Sequence, residues 1–180
     1  MAIGLVGSEM CIRDSPEVAR VSDLMDVLRR IGIVSKIPKT WSKVGDFQGE
    51  ALGDNAGVSV SISADGKTVA IGAPFYDGDA FPTSDIGRVQ VFKYDDLRWT
   101  EIGDLQGEAL GDKLGYSVSL SSDGNTVAVG SPFYDNGKGT VWVFSYDGDG
   151  SNWTKIGDEA FGGLNDNDAA GWSVSLSADG

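Results

Sequence analysis

The chain has 180 residues, with 14 Lys and Arg against 27 Asp and Glu, no histidine, and a formal net charge of −13. Such an acidic surface argues against nucleic-acid and anionic-membrane partners, and the absence of histidine removes Ser–His and Cys–His nucleophile pairs and His-ligated metal centres. No run of 18 apolar residues is available for a membrane-spanning helix, and 26 glycines among abundant Val, Ser and Asp point to short strands joined by tight turns.

In chain order, residues 1–15 stand apart. Val6-Gly-Ser-Glu-Met-Cys-Ile-Arg-Asp-Ser15 fits no later pattern and resembles the in-frame translation of a sequencing adapter, so this stretch is expected to be non-native. It holds the single cysteine, Cys11, which leaves cysteine arithmetic silent about compartment. Residues 16–40 read as a short helix and linker. Val18, Val21, Leu24, Met25, Leu28 and Ile31 follow helical spacing, Ser15 suits the cap, Pro16 the first turn and Gly32 the stop. A docking helix and an unrelated linker both satisfy that pattern.

From Trp41 onward one phrase is written three times. Trp41, Trp99 and Trp153 each open a copy, 58 and then 54 residues apart. Each copy runs on to Gly57-Val-Ser-Val-Ser, Gly115-Tyr-Ser-Val-Ser or Gly171-Trp-Ser-Val-Ser. A period near fifty residues signals stacked β units, none of which can cover both of its faces alone. In the second unit, Tyr116–Ser121 alternates Val118 and Leu120 against serines, which is the pattern of a half-buried strand. Ser122-Asp-Gly-Asn125 is a hairpin turn. Thr126–Gly130 returns, Pro132–Gly139 is a loop, Thr140–Tyr146 is a strand apolar on both sides, and Trp153–Gly157 is the fourth strand. The first unit repeats this as Val58–Ser63, Thr68–Gly72, Arg88–Tyr94 and Trp99–Gly103.

Four-stranded antiparallel units that need cover on both sides suit a β-propeller. The expected architecture is therefore all-β: a fragment of a propeller preceded by the short helix. Residues 41–57 supply an outer strand and loop, 58–104 and 116–158 two complete blades, and 172–180 the start of the next. Small residues on the second strands (Ala70, Gly72, Ala73; Ala128, Gly130, Ser131) suit a narrow place near the axis. A solenoid of shorter coils is the alternative, although leucine-rich coils have periods of about 20–30 residues.

Ala56-Gly57-Val-Ser-Val-Ser-Ile-Ser through Ile71-Gly-Ala-Pro74 resembles the FG-GAP repeat, whose best-known setting is the head of integrin α chains. Leu114-Gly115-Tyr-Ser-Val through Gly130-Ser-Pro132 resembles it again, and Ala170-Gly171-Trp-Ser-Val begins a third copy. The resemblance spans roughly 41–180 and implies a seven-bladed propeller, so that four or five blades would lie outside this sequence. It also implies an extracellular or cell-surface setting. Many blades of that family carry Asp-x-Asp-x-Asp-Gly between strands one and two, a calcium loop. Here the turns are Ser63-Ala-Asp-Gly-Lys67 and Ser121-Ser-Asp-Gly-Asn125, with too few carboxylates for calcium's six to eight oxygens. Asp65, Asp123 and Asp179 read as hairpin residues instead.

In an antiparallel blade the loops after strands two and four share one face, the ligand-facing side by the family resemblance. The candidate ligand-binding residues there are Tyr76, Asp77 and Asp79 in one loop and Tyr134 and Asp135 in its counterpart. The competing reading is that each Asp closes its loop and each aromatic covers a blade end. A candidate calcium site is Asp147-Gly-Asp149-Gly-Ser151, although Asn152 stands where such a loop needs glycine and Trp153 begins a strand.

With no recognisable catalytic set, the sequence reads as a non-enzymatic binding or adhesion module that engages a protein or glycan. The alternative is an accessory propeller region of a larger secreted enzyme whose active site lies elsewhere.

Overall fold

The computed structural model describes residues 43–180 apart from 79–83, 149–151 and 158–160. The expected helix of residues 16–40, the segment 1–15 and Trp41 lie outside the described residues. The nine strands found among the described residues belong to the unit Gly45–Gly180, and they form two antiparallel sheets.

The first sheet contains β1 (Ser59–Ile62), β2 (Thr68–Ala73), β3 (Arg88–Tyr94) and β4 (Trp99–Gln106), in that order. The second contains β5 (Ser117–Leu120), β6 (Thr126–Ser131), β7 (Thr140–Tyr146) and β8 (Trp153–Lys155). A ninth strand, β9 (Phe161–Gly162), also pairs with β7. Thr68–Ala73 is buried along its whole length, and β6 nearly so. Small and β-branched side chains suit a strand with partners on both edges and cover on both faces.

The outer strand expected in residues 41–57 is not formed among the described residues 43–57, which run as irregular chain and turns. The strands expected within the two complete units are present, with two differences at their edge strands. Trp99–Gly103 runs on to Gln106, because a register shift opposite Val91/Phe92 lets the ladder continue past Gly103. The second copy of that edge is split: Tyr146 pairs with Trp153, and the ladder resumes where Val141 meets Phe161 and Thr140 meets Gly162. This repeat carries two more residues between its tryptophan and the following x-Gly-x-Ser-Val phrase, Trp153 to Gly171 against Trp99 to Gly115. The extra length interrupts the edge strand. Residues 172–180, expected to begin a further strand, hold no ladder.

The two sheets meet face to face through contacts that recur in register. Ser59 Oγ donates to the Gly115 carbonyl at 2.7 Å, and Ser117 Oγ to the Gly171 carbonyl at 2.8 Å. The Leu120 amide donates to Ser61 Oγ at 2.9 Å, and the Leu176 amide to Ser119 Oγ at 3.0 Å. Ala64 N–H reaches the Ser122 carbonyl, and Ser122 N–H the Ala178 carbonyl, both at 2.9 Å. Single parallel bridges join Gly87 to Leu114 and Gly139 to Ala170. Residues 171–178 therefore stand to the second sheet as 115–122 stand to the first. Between the sheets lies one apolar cluster: Ala70, Val89, Val91, Ile102, Leu105, Leu114, Leu120, Val127 and Val129, with Val118, Trp142, Phe144 and Trp153 against it.

Glycine is required where the repeats touch. A Cβ on Gly72 would collide with the Gly115 carbonyl and Ser59 Oγ, and one on Gly130 with the Gly171 carbonyl and Ser117 Oγ.

Candidate functional site

The hairpin carboxylates are consumed by their own turns. Asp65 Oδ1 accepts Ser63 Oγ–H at 2.6 Å and Lys67 N–H at 2.9 Å, and Asp123 Oδ1 accepts Ser121 Oγ–H at 2.6 Å and Asn125 N–H at 3.0 Å. The serine hydroxyls hold both carboxyls below the usual range, the backbone amides adding to the effect. Asp179 is lowered in the same way by Ser177. A single carboxylate spent on its turn does not fit calcium. Among the described residues no group of three or more acidic, histidine or cysteine side chains is placed to hold a metal ion. Asp147 sits exposed in the turn after β7; Asp149 lies outside the described residues.

At the opposite ends of the sheets a second carboxylate recurs, three residues before each x-Gly-x-Ser-Val glycine. Asp54 Oδ2 accepts Ala51 N–H at 3.1 Å, Asp112 Oδ2 accepts Ala109 N–H at 2.9 Å, and Asp168 Oδ2 accepts Asn165 N–H at 2.8 Å. These closures were not singled out from the sequence, although their constant offset was there to be read. Asp54 and Asp112 are buried. Burial pushes the Asp112 carboxyl up, and neighbouring Glu108 pushes the same way against the Ala109 amide bond.

The first pair of predicted ligand residues helps to build its loop. Asp77 Oδ1 accepts the amides of Ser84 at 2.7 Å and Asp85 at 3.1 Å, and the Asp77 carbonyl accepts Ser84 Oγ–H. Tyr76 is buried, with the Arg88 guanidinium 5.0 Å from its ring centroid. Asp79 lies outside the described residues. Arg88 itself, unremarked in the sequence, is a buried cation held by Asp104 at 2.5 Å and Glu50 at 2.7 Å. Burial opposes its charge, but the bonds to Asp104 and Glu50 outweigh that, and its pKa lies above the ordinary arginine range.

The counterpart pair is placed differently. Asp135 is exposed, paired with Lys138 at 2.6 Å, in a turn where Asp135 and Asn136 both have positive φ. Tyr134 lines a cleft of about 190 Å³ between the sheets, edge-on to Trp142 with ring centroids 5.8 Å apart. The cleft joins the loop after β4 to the loop after β6. It is lined by Leu105, Leu114 and Phe144 and by the carboxylates Asp104, Glu108 and buried Asp112. Lys155 lines it too, with Nζ 3.2 Å from the Trp142 ring centroid. So the cleft already holds one cation against an aromatic face, among carboxylates.

Beside the cleft, Lys113 Nζ lies between two rings, 4.5 Å from the Phe75 centroid and 4.8 Å from that of Phe133. Phe133, Tyr116 and Trp172 form a further aromatic group, with Tyr116 and Trp172 centroids 4.8 Å apart. Phe133 and Trp172 are exposed. The loop-rich face thus presents rings and carboxylates together, as the alternation of aromatic and acidic residues in its loops implies.

No protein-family model matches the chain, and no curated protein sequence matches it. Among solved structures it is similar to a periplasmic gluconolactonase of Pseudomonas aeruginosa, with 18% identity and a TM-score of 0.38 over 57% of this chain. The match spans 26% of that protein's chain. The expectation that this chain is not an enzyme is corrected by that finding, since the similar structure is that of an enzyme. At this level of similarity the match assigns no activity and no residue to the present chain. The sequence argument for a non-enzyme rested on the lack of a recognisable catalytic set, and of its grounds the missing histidine excludes only histidine-dependent chemistry.

Proposed function

We propose that residues 45–180 are successive blades of a β-propeller of the FG-GAP type, and that the protein binds a ligand on its loop-rich face. The site is the cleft between the loops after β4 and β6. The observation that carries this reading is the convergence there of Tyr134, Trp142 and Phe144 with Glu108 and Asp112. Aromatic walls take the apolar face of a sugar ring or the stem of a long side chain, and carboxylates accept its hydroxyl or amine hydrogens. A cleft of this volume suits one such group, from a glycan or from a protein partner in an extracellular or cell-surface setting. The same-register contacts between repeats support the propeller, because identical junctions between four-stranded units accumulate a rotation about one axis.

A binding screen of the chain against immobilised glycans and against basic and acidic proteins tests the reading. Trp142→Ala is expected to weaken binding by about tenfold or more, as truncation of an aromatic anchor does. Asp135→Asn, outside the cleft, is expected to leave it unchanged. Equal binding by the wild type and Trp142→Ala, or no ligand in any class, would refute the cleft as the site.

A further inference from the structure

We propose that the cleft is a receptor for a guanidinium group, and that its ligand is an exposed arginine side chain of a protein partner. This names the ligand of the cleft already described, so it rests on the reading of that cleft as the binding site.

The chain carries its own precedent one repeat earlier. Arg88 pairs with Ala73 across its ladder as Thr140 pairs with Ser131, so the two hold one position in successive units. The Arg88 side chain is buried, with Nη1 2.7 Å from Glu50, Nε 2.5 Å from Asp104 and the guanidinium carbon 5.0 Å from the Tyr76 ring centroid. Glu50 and Tyr76 recur one repeat later as Glu108 and Tyr134, and both of these line the cleft. The counterpart of Asp104 is Asp158, outside the described residues.

What does not recur is the cation. Thr140 ends at its γ atoms; it is buried, and its hydroxyl has no partner among the described residues. The counterparts of two of Arg88's partners therefore face an open cleft of about 190 Å³. Lys155 does not restore the arrangement. It holds the position of Glu101, each opposite a phenylalanine of the neighbouring strand, and its ammonium rests on the Trp142 ring. Among the described residues neither Lys155 nor Glu108 forms an ion pair. Asp112, in the same cleft, has its carboxyl pushed up by burial and by the charge of Glu108. A cation bound there favours its ionised form.

A guanidinium suits this set better than an ammonium or a neutral sugar. Its planar fork reaches two carboxylates at once, as Arg88 does with Glu50 and Asp104, and its flat face stacks on an aromatic ring. The net charge of −13 also steers a basic partner towards the chain.

A nuclear magnetic resonance titration of the full chain, read on the Trp142 indole, tests this. The probes are Nα-acetyl-argininamide, its uncharged isostere Nα-acetyl-citrullinamide, Nα-acetyl-lysinamide and a panel of neutral oligosaccharides. The arginine probe is expected to shift the indole saturably and to bind about tenfold or more tightly than the citrulline probe, with lysine between them. Thr140→Arg supplies the missing side chain from within and should abolish the shift. If that variant fails to fold by circular dichroism, Glu108→Gln, at an exposed position, should weaken arginine binding about tenfold. Arginine bound no better than citrulline or lysine, or bound undiminished by the folded variant, would overturn the proposal while leaving the cleft as the site. A sugar that moves the indole where arginine does not would do the same. An indole moved by no probe would overturn the reading of the cleft as well.

Discussion

Ser61 and Leu120 are 59 residues apart in sequence, yet the Leu120 amide donates to the Ser61 hydroxyl at 2.9 Å. One repeat later the Leu176 amide donates to Ser119 at 3.0 Å. The serines that alternate with valine and leucine along the first strands do not simply face solvent; they stitch each repeat to the next. The apolar partners on the same strands face the preceding repeat. One strand thus makes a polar junction on one side and an apolar one on the other.

Glycine at 72 and 130 is set by that close approach. Gly72→Ala should destabilise the fold by about 3 kcal/mol, because a Cβ would meet backbone that cannot move aside. Gly130→Ala should cost a similar amount. Chemical denaturation with unchanged slope measures both. A loss below about 0.5 kcal/mol, typical of a surface change, would mean the repeats are further apart than described.

Trp153 and Trp99 occupy equivalent places but differ in hydrogen bonding. Trp153 Nε1 donates to the Ile102 carbonyl at 3.0 Å, whereas Trp99 Nε1 is buried without a partner among the described residues. Trp153→Phe should therefore cost about 1 kcal/mol more than Trp99→Phe, the net worth of one hydrogen bond. Equal losses would show that the indole bond contributes nothing.

Arg88 ties Glu50 to Asp104 across its sheet while resting on Tyr76. Its carboxylate partners are partly exposed, so they can rehydrate when the cation goes. Arg88→Met should cost about 2 kcal/mol, less than breaking a pair buried on both sides. Arg88→Lys should recover only part of this, since one ammonium cannot reproduce the two-pronged fork. Thermal melts of both variants decide the order.

Acid should destabilise the protein through its hairpins. Asp65, Asp123 and Asp179 have carboxyls lowered by serine hydroxyls, so the stability they contribute is present above the unfolded carboxylate pKa. It is lost as pH falls through their folded values. Asp112 has the opposite sign: its folded pKa is raised, and its ionisation weakens the fold as pH rises through that value. Asp112→Asn keeps an oxygen for Ala109 N–H and should melt higher than wild type at neutral pH. It should also lose more on acidification to about pH 2, below the carboxylate range. A variant melting lower at neutral pH would mean that the ionised carboxylate is favoured there.

Much of the strand layout was legible because period-two alternation and Asp-Gly turns are local signals. Arg88–Tyr94 and Thr140–Tyr146 have the predicted bounds. The edge strands were harder. Gly103 reads as a strand end, but it is the seat of the next repeat's Trp153, which leaves no room for a Cβ. That is a long-range reason invisible to local pattern. Tyr76 and Tyr134 look equivalent in sequence. Arg88 faces Tyr76, whereas buried Thr140 holds the matching position on β7, so only Tyr134 borders the open cleft. Lys155 against Trp142 joins residues from two strands and was not foreseen at all.

The central claim is that consecutive repeats pack through one recurring junction, and the amide of Ala64 reports on it directly. Ala64 is exposed in a hairpin turn, yet its N–H donates to the Ser122 carbonyl of the next repeat at 2.9 Å. Native-state hydrogen exchange resolved by residue should find Ala64 protected to nearly the same free energy as the β6 amides. Exchange of Ala64 at the rate of an open turn, while β6 stays protected, would contradict the junction and the repeat architecture built on it.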